Sequence, residues 1–170
     1  MGWEAPLTTI HTGQTAPQFS LKSLDGKEYS LTKLLEKGPV VAVFFKISCP
    51  VCQFTLPFIQ RLADRYSGDK ATVVTISQDD AKSSTSFNKE YSLKLLTLLD
   101  DSGYPASNAY GLSTVPTTLL IQPNGKVEVS SMGFEKADLE KIAAELSLHC
   151  KMAAAPLFHH DESVPANKPG

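Results

Sequence analysis

Residues 40–61 are VVAVFFKISCPVCQFTLPFIQR, and three patterns follow one another within them. Val40 to Phe45 is an unbroken apolar run, the pattern of a strand buried on both faces. Lys46-Ile47-Ser48 is a short polar turn. Beyond Cys49-Pro50-Val51-Cys52, the apolar residues Phe54, Phe58, Ile59, Leu62 and Ala63 recur at helical spacing. The stretch predicts a strand, a turn, and a helix that starts at the two cysteines. Backbone N–H groups without intrahelical partners point out of a helix N-terminus, and the helix dipole adds partial positive charge there. A thiol held at that point loses its proton more easily than at the free value of about 8.5, and the thiolate is the reactive form. Cys49 falls at the cap, open to solvent. Cys52 falls one turn further in, on the same side and closer to the core. Two thiols so spaced can close a small disulfide ring and reopen it. Pro57 removes a hydrogen bond inside the helix and predicts a kink.

Working outward toward the N-terminus, APQFSLKSLDGKEYSL over 16–31 predicts a hairpin, with Leu24-Asp25-Gly26-Lys27 as its turn. Thr32 to Lys37 predicts one or two helical turns, closed by Gly38-Pro39. Residues 1–15 are weakly patterned and predict a loose arm. In the other direction, Ala71 to Ser77 is a second buried strand rich in β-branched residues. Asp79 to Ser92 is polar, with Phe87 and Tyr91 four apart, and predicts a surface helix with one apolar edge. Leu95 to Leu99 predicts a short strand and Tyr104 to Leu112 a short helix. Pro116 directly precedes an apolar strand, Pro123-Asn124-Gly125-Lys126 is a hairpin turn, and Val127 to Met132 is the returning strand. Glu135 to His149 predicts an amphipathic closing helix. Residues 151–170 are proline-rich and aperiodic and predict an extended tail. One domain over 16–150 results, an α/β three-layer sandwich. The second strand returns parallel to the first by a right-handed crossover, and the final hairpin makes the sheet mixed.

The chain of 170 residues, 42% hydrophobic and 20% charged, suits one well-buried domain. A net charge of −2 gives no electrostatic reason to expect nucleic acid or an acidic membrane surface. Three cysteines in this length do not make a disulfide scaffold. MGWEAPLTTIHTG has neither a basic n-region nor an apolar h-region, so no export signal is expected, and the expected location is the cytoplasm. No apolar run approaches the roughly 18 residues of a membrane helix. A zinc site would need two more ligands beside Cys49 and Cys52. His149, Cys150, His159 and His160 do not repeat a close-paired spacing, so no metal is expected. Cys150 is expected to be a structural thiol, and His159-His160 to be solvated.

The strand–Cys-x-x-Cys–helix unit, the proline five residues after Cys52, and Val115-Pro116-Thr117-Thr118 before a strand–turn–strand together resemble a thioredoxin fold. The hairpin segment 16–31, and Asp100-Asp101 leading to Tyr110-Gly111, narrow the resemblance to thiol–disulfide oxidoreductases of the TlpA/ResA type. The likeness runs from about Gly13 to Leu148. It implies Cys49 as the attacking thiol and Cys52 as the resolving thiol. It implies Pro116 as a cis proline facing them, which turns the Val115 backbone toward a partner chain for strand-like hydrogen bonds beside Cys49. Pro50 and Val51, between the cysteines, are the other residues a partner would meet. No cofactor is expected beyond the Cys49–Cys52 disulfide. The partners expected are protein disulfides or dithiols and a redox partner, with the chain as a monomer.

The chain departs from the family at three positions. Ser48 stands where a Trp often precedes the first cysteine. Val43 and Thr55 stand where thioredoxins and ResA-type proteins, respectively, carry a carboxylate. Lys46, three residues before Cys49, would stabilise a thiolate electrostatically if it points inward, and is otherwise simply solvated. Two other functions compete. A peroxiredoxin-type peroxidase places a Thr three residues before its reactive cysteine and a Pro upstream, but Lys46 and Ala42 occupy those positions here. A non-enzymatic redox-sensing or binding module would use the tail, with Phe158 amid prolines, to dock onto a partner or onto the domain itself.

Overall fold

The structure is a computed structural model that describes residues 8–170. In chain order, a hairpin of β1 (Ser20–Lys22) and β2 (Glu28–Ser30) leads into α1 (Leu31–Leu35). The strand β3 (Val40–Phe45) and the cysteine helix α2 (Pro50–Tyr66) follow, then β4 (Thr72–Ser77), α3 (Ala81–Glu90) and β5 (Leu96–Leu99). The rest comprises α4 (Pro105–Ala109), β6 (Thr117–Ile121), β7 (Val127–Met132), β8 (Phe134–Glu135), α5 (Lys136–His149) and β9 (Asn167–Lys168). Among the described residues no helix is long and apolar enough to cross a membrane.

The central sheet has the order β5-β4-β3-β6-β7. β3 runs parallel to β4, with Val40 opposite Thr72, and antiparallel to β6, with Val40 opposite Ile121. β6 and β7 form the antiparallel hairpin, so the sheet is mixed as expected. The unbroken apolar run of β3 is explained by its two faces. Val41, Val43 and Phe45 enter one core with residues of α2, α3 and α5. Val40, Ala42 and Phe44 enter a second core with the hairpin, α1 and α4. Each fully buried Val or Phe contributes about 1.5–3 kcal/mol of transfer free energy, so this strand pins both layers at once. The predicted hairpin forms with Leu21 opposite Tyr29. The short α4 is held by the buried Asp100 carboxylate, which accepts from the Ala106 and Ser107 amides and the Ser107 hydroxyl. α2 runs unbroken through Pro57.

Two segments differ from the pattern-based expectation. Within the predicted loose arm, residues 1–7 lie outside the described residues, but the rest is tied down. Ile10 is buried, its N–H donates to Tyr110 O at 3.0 Å, and the Gly13 N–H donates to Val127 O at 2.8 Å. β7 is an edge strand with backbone groups needing partners, and the arm supplies them. The predicted tail is also docked. Leu157 and Phe158 are buried in the α2–α5 core, where the Phe158 ring packs against Phe58 at 4.8 Å between centroids. Arg61 makes a two-pronged ion pair with Glu162 at 2.7 and 2.6 Å and donates to Leu157 O at 3.1 Å. Arg65 donates to Ala153 O at 2.9 Å. Leu157 and Phe158, too few to show a period, seat the segment together with these arginine contacts.

The hydrogen bonds from Arg61, then the amide of His159, hold the Glu162 carboxyl down at about 2 against an ordinary 4.5. A depressed carboxyl stabilises the folded state above its unfolded value, and that contribution fades as pH falls through the folded value. Thermal unfolding of the native chain and of Glu162→Gln should therefore differ fully above about pH 4.5, and the difference should vanish toward pH 2. A pH-independent difference would show that Glu162 acts through packing alone.

Candidate active site

β3 ends at Phe45, and the turn after it is clamped from two sides. Asp79 accepts from the Ile47 N–H at 2.8 Å, and Gln53 donates from its side-chain amide to Ile47 O at 2.8 Å. The Cys49 N–H closes the turn by donating to Lys46 O at 3.2 Å. The turn delivers Cys49 to the N-cap of α2 with an extended backbone (φ −85°, ψ 115°) and Pro50 in the first helical turn. Pro is favoured there because its missing N–H would have had no intrahelical partner. The Cys49 sulfur stands where a capping oxygen usually does, accepting from the Cys52 N–H at 3.1 Å.

The two sulfurs have different surroundings. Cys49 is half-buried and Cys52 is fully buried in the α2–α5 core. Burial pushes the Cys52 thiol far up from its ordinary range, and the Cys49 side chain and the Asp79 charge push the same way. A backbone hydrogen bond from Lys46 works in the opposite direction. All three cysteines are free thiols. Cys150 is buried where the chain leaves α5, away from the pair in sequence and capping the helix by its N–H to Leu146 O at 2.9 Å.

Opposite Cys49 stands the loop before β6. The Val115–Pro116 peptide is cis, and the Cys49 thiol donates to Val115 O at 3.5 Å. Pro116 O accepts from the Gly133 N–H at 2.8 Å, and the Thr117 hydroxyl donates to Thr114 O at 2.9 Å. The loop is thus held to the start of β8 and to itself. Cys49, Cys52, Val115 and Pro116, far apart in sequence, meet here. Pro50 is exposed and Val51 half-buried at the start of α2. The Lys46 side chain is exposed, and what its residue contributes to the thiols is backbone. Thr55 is buried and turned onto its own helix, donating to Val51 O at 2.7 Å. Among the described residues, no three His, Cys, Asp or Glu side chains gather as a metal site.

One residue of this site was not singled out by sequence. Asp79 was assigned to the surface helix, yet α3 begins only after Asp80, whose carboxylate caps it by accepting from the Ser83 N–H at 2.7 Å. Asp79 is left to serve the cysteine turn. A usable signal existed: β3 and β4 are parallel, so the polar residues after each strand arrive at the same edge of the sheet.

The geometry can be set against known proteins. Residues 12–130 match the sequence pattern of the AhpC/TSA family. The thiol-disulfide oxidoreductase ResA of Geobacillus thermodenitrificans is 31% identical over 122 residues, covering 71% of this chain and 69% of that one. A Helicobacter pylori protein that carries the name peroxiredoxin bcp is 32% identical over 130 residues, covering 70% of this chain and 86% of that one. Among solved structures, a Chlorobium tepidum protein described as thiol:disulfide interchange protein DsbE superposes with a TM-score of 0.71 at 25% identity. That superposition covers 82% of this chain and 97% of the other. With the family match spanning the hairpin, the cysteine helix and the loop before β6, the chain belongs to the AhpC/TSA family, as a thioredoxin-fold protein of the TlpA/ResA type.

Proposed function

We propose that the chain is a thiol–disulfide oxidoreductase whose reacting groups are Cys49 and Cys52. The observation that carries this reading is the asymmetry of the pair. One sulfur is reachable at a helix N-cap, beside a backbone carbonyl of the facing loop, and the other is sealed one turn behind it.

The steps follow from that arrangement. The Cys49 thiolate attacks one sulfur of a partner disulfide; a Cys49–partner S–S bond forms and the partner S–S bond breaks. The displaced partner thiolate takes up a proton. Cys52 then gives up its proton and attacks the Cys49 sulfur, so the Cys49–Cys52 bond forms and the second partner thiol leaves. Two electrons and two protons pass from the pair to the partner, and the reverse sequence oxidises a dithiol. Burial makes Cys52 a poor first nucleophile, which assigns the order. Protein disulfides are the partner class this reading favours, because the Val115 backbone offers strand-like pairing next to Cys49.

The Helicobacter relative supports a second reading, a thiol peroxidase. Lys46 and Ala42 stand where that chemistry would place Thr and Pro, which ranks it below the first. Peroxide turnover by Cys52→Ser equal to that of the native chain would reverse this ranking.

Iodoacetamide at neutral pH should label Cys49 and spare Cys52, as read by peptide mass spectrometry. Cys49→Ser should abolish disulfide turnover, whereas Cys52→Ser should accumulate a mixed disulfide on Cys49. Equal labelling of both thiols would remove the basis for the assigned order. Asp79→Asn takes away a negative charge that opposes ionisation of Cys52. The pH profile for resolution of the mixed disulfide should therefore move to lower pH, and an unmoved profile would show Asp79 to be purely structural. A reductase working in a reducing compartment such as the cytoplasm should show a Cys49–Cys52 potential near −270 mV. A value toward about −120 mV would instead make the pair an oxidant.

A further inference from the structure

The segment after α5 follows one stripe of the cysteine helix. Arg65, Arg61, Phe58 and Phe54 are spaced four, three and four residues apart, which places them in line on one face of α2. The segment meets them in that order. Arg65 holds Ala153, Arg61 holds Leu157 and Glu162, and Phe58 holds Phe158. The Lys168 ammonium then sits 4.9 Å from the centre of the Phe54 ring, two residues past Cys52. The path therefore leads from the far end of α2 toward the end that carries the thiols.

At that end the segment becomes a strand. The Lys136 N–H donates to Ala166 O at 2.9 Å, and β9 pairs antiparallel with β8, Phe134 opposite Lys168 and Glu135 opposite Asn167. β8 has no other strand partner in the sheets described. Gly170 then lies against the loop facing Cys49. A Cβ placed on Gly170 would come 2.4 Å from Val115 O and 2.6 Å from Thr114 Oγ1. This is the same carbonyl oxygen to which the Cys49 thiol donates. Gly133 packs as closely against the same segment: a Cβ there would meet Lys168 O at 2.6 Å. The backbone of residues 168–170 therefore rests directly on the backbone of Gly133 and of Val115.

A free strand edge beside a reactive thiol is a docking surface for an extended chain. Its present occupant shows what fits: an extended polypeptide with main-chain pairing to Phe134–Glu135 and a cationic side chain over Phe54. We propose that residues 166–170 are an internal occupant of the groove that receives the substrate, and that the substrate is an extended polypeptide disulfide that must displace them. This rests on the oxidoreductase reading above and adds to it a substrate class and a restraint. A segment that is docked most of the time lowers the apparent affinity of a competing chain by the fraction of time the groove is open. Small disulfides, which need no β8 edge, escape that restraint.

The test uses the full chain carrying Gly170→Leu together with Lys168→Ala. The first change drives a side chain into Val115 O, and the second removes the cation over Phe54. Neither residue takes part in the thiol chemistry. Two substrates are compared, a disulfide-bonded extended peptide and 2-hydroxyethyl disulfide. The expected result is a fall of about tenfold in KM for the peptide with kcat unchanged, and less than a twofold change for the small disulfide. An unchanged or raised peptide KM overturns the proposal, since the segment would then be structural or part of the substrate site. If the native chain exchanges neither disulfide, the oxidoreductase reading fails and this proposal falls with it. A second measurement is independent of turnover. With a Ser-for-Cys version of the peptide bound at saturation, amide exchange at Lys168, which then leaves β8, should speed up. Unchanged protection at saturating peptide, or absence of peptide binding, overturns the proposal.

Discussion

The molecule depends on β3 being buried on both faces. Its six side chains alternate between two separate cores, so neither layer can shift without opening the other. Hydrogen bonding fixes the strand on both edges as well, to β4 on one side and β6 on the other. The end of β3 is therefore a fixed point, and what leaves it is aimed. The three-residue turn and the first turn of α2 inherit that position, and with them the two sulfurs. Because β6 is paired to the same strand, the loop carrying Val115 and Pro116 is registered against the cysteines by the sheet itself. The approach of Cys49 to Val115 O is a consequence of sheet register as much as of any local contact.

The second organising feature is the difference in solvation across one helical turn. Cys49 occupies the capping position, where an N–H is aimed at its sulfur. Cys52 lies in a core of aromatic and aliphatic side chains, where a charged sulfur would lose its hydration. A single helix start thus provides one position that accommodates negative charge and one that resists it. Asp79 contributes twice, clamping the turn through Ile47 and adding charge near Cys52. Val43 and Thr55 are buried beside the pair without a carboxylate, and the acidic group that acts on Cys52 arrives from the end of β4.

The segment beyond α5 shows how a stretch without a period gains a fixed place. Its two buried side chains, Leu157 and Phe158, join a core already formed by α2, β8 and α5. The ion pair of Glu162 with Arg61 and the short β9 supply direction and register. The arm at residues 9–14 works similarly on the opposite layer, lending backbone groups to β7 and to the end of α4. In both cases a piece of chain without a period satisfies an edge that the regular elements leave open.

How much of this was legible in the sequence follows from the range of each interaction. The doubly buried strand, the helix start at Cys49 and the closing hairpin were legible because periodicity, capping and turn chemistry act within a few residues. The parallel return of β4 and the antiparallel closing hairpin followed from the connections, whereas the neighbours of β3 emerged only in the assembled sheet. Cys49, Cys52, Val115 and Pro116 could be named from motif and resemblance, since each is marked by its immediate neighbours. The work of Asp79, the seat of Phe158 and the placing of Gly170 on Val115 carry no local mark. They arise where separate strands end at one edge of the sheet, or where one face of α2 lies open to a distant segment. The sequence by itself determined the elements and the placing of the two cysteines at a helix start, because those depend on short-range spacing. Only the tertiary structure decided which carboxylate reaches the cysteine turn and which segment lies against the facing loop, because both depend on surfaces that exist only once the sheet has assembled.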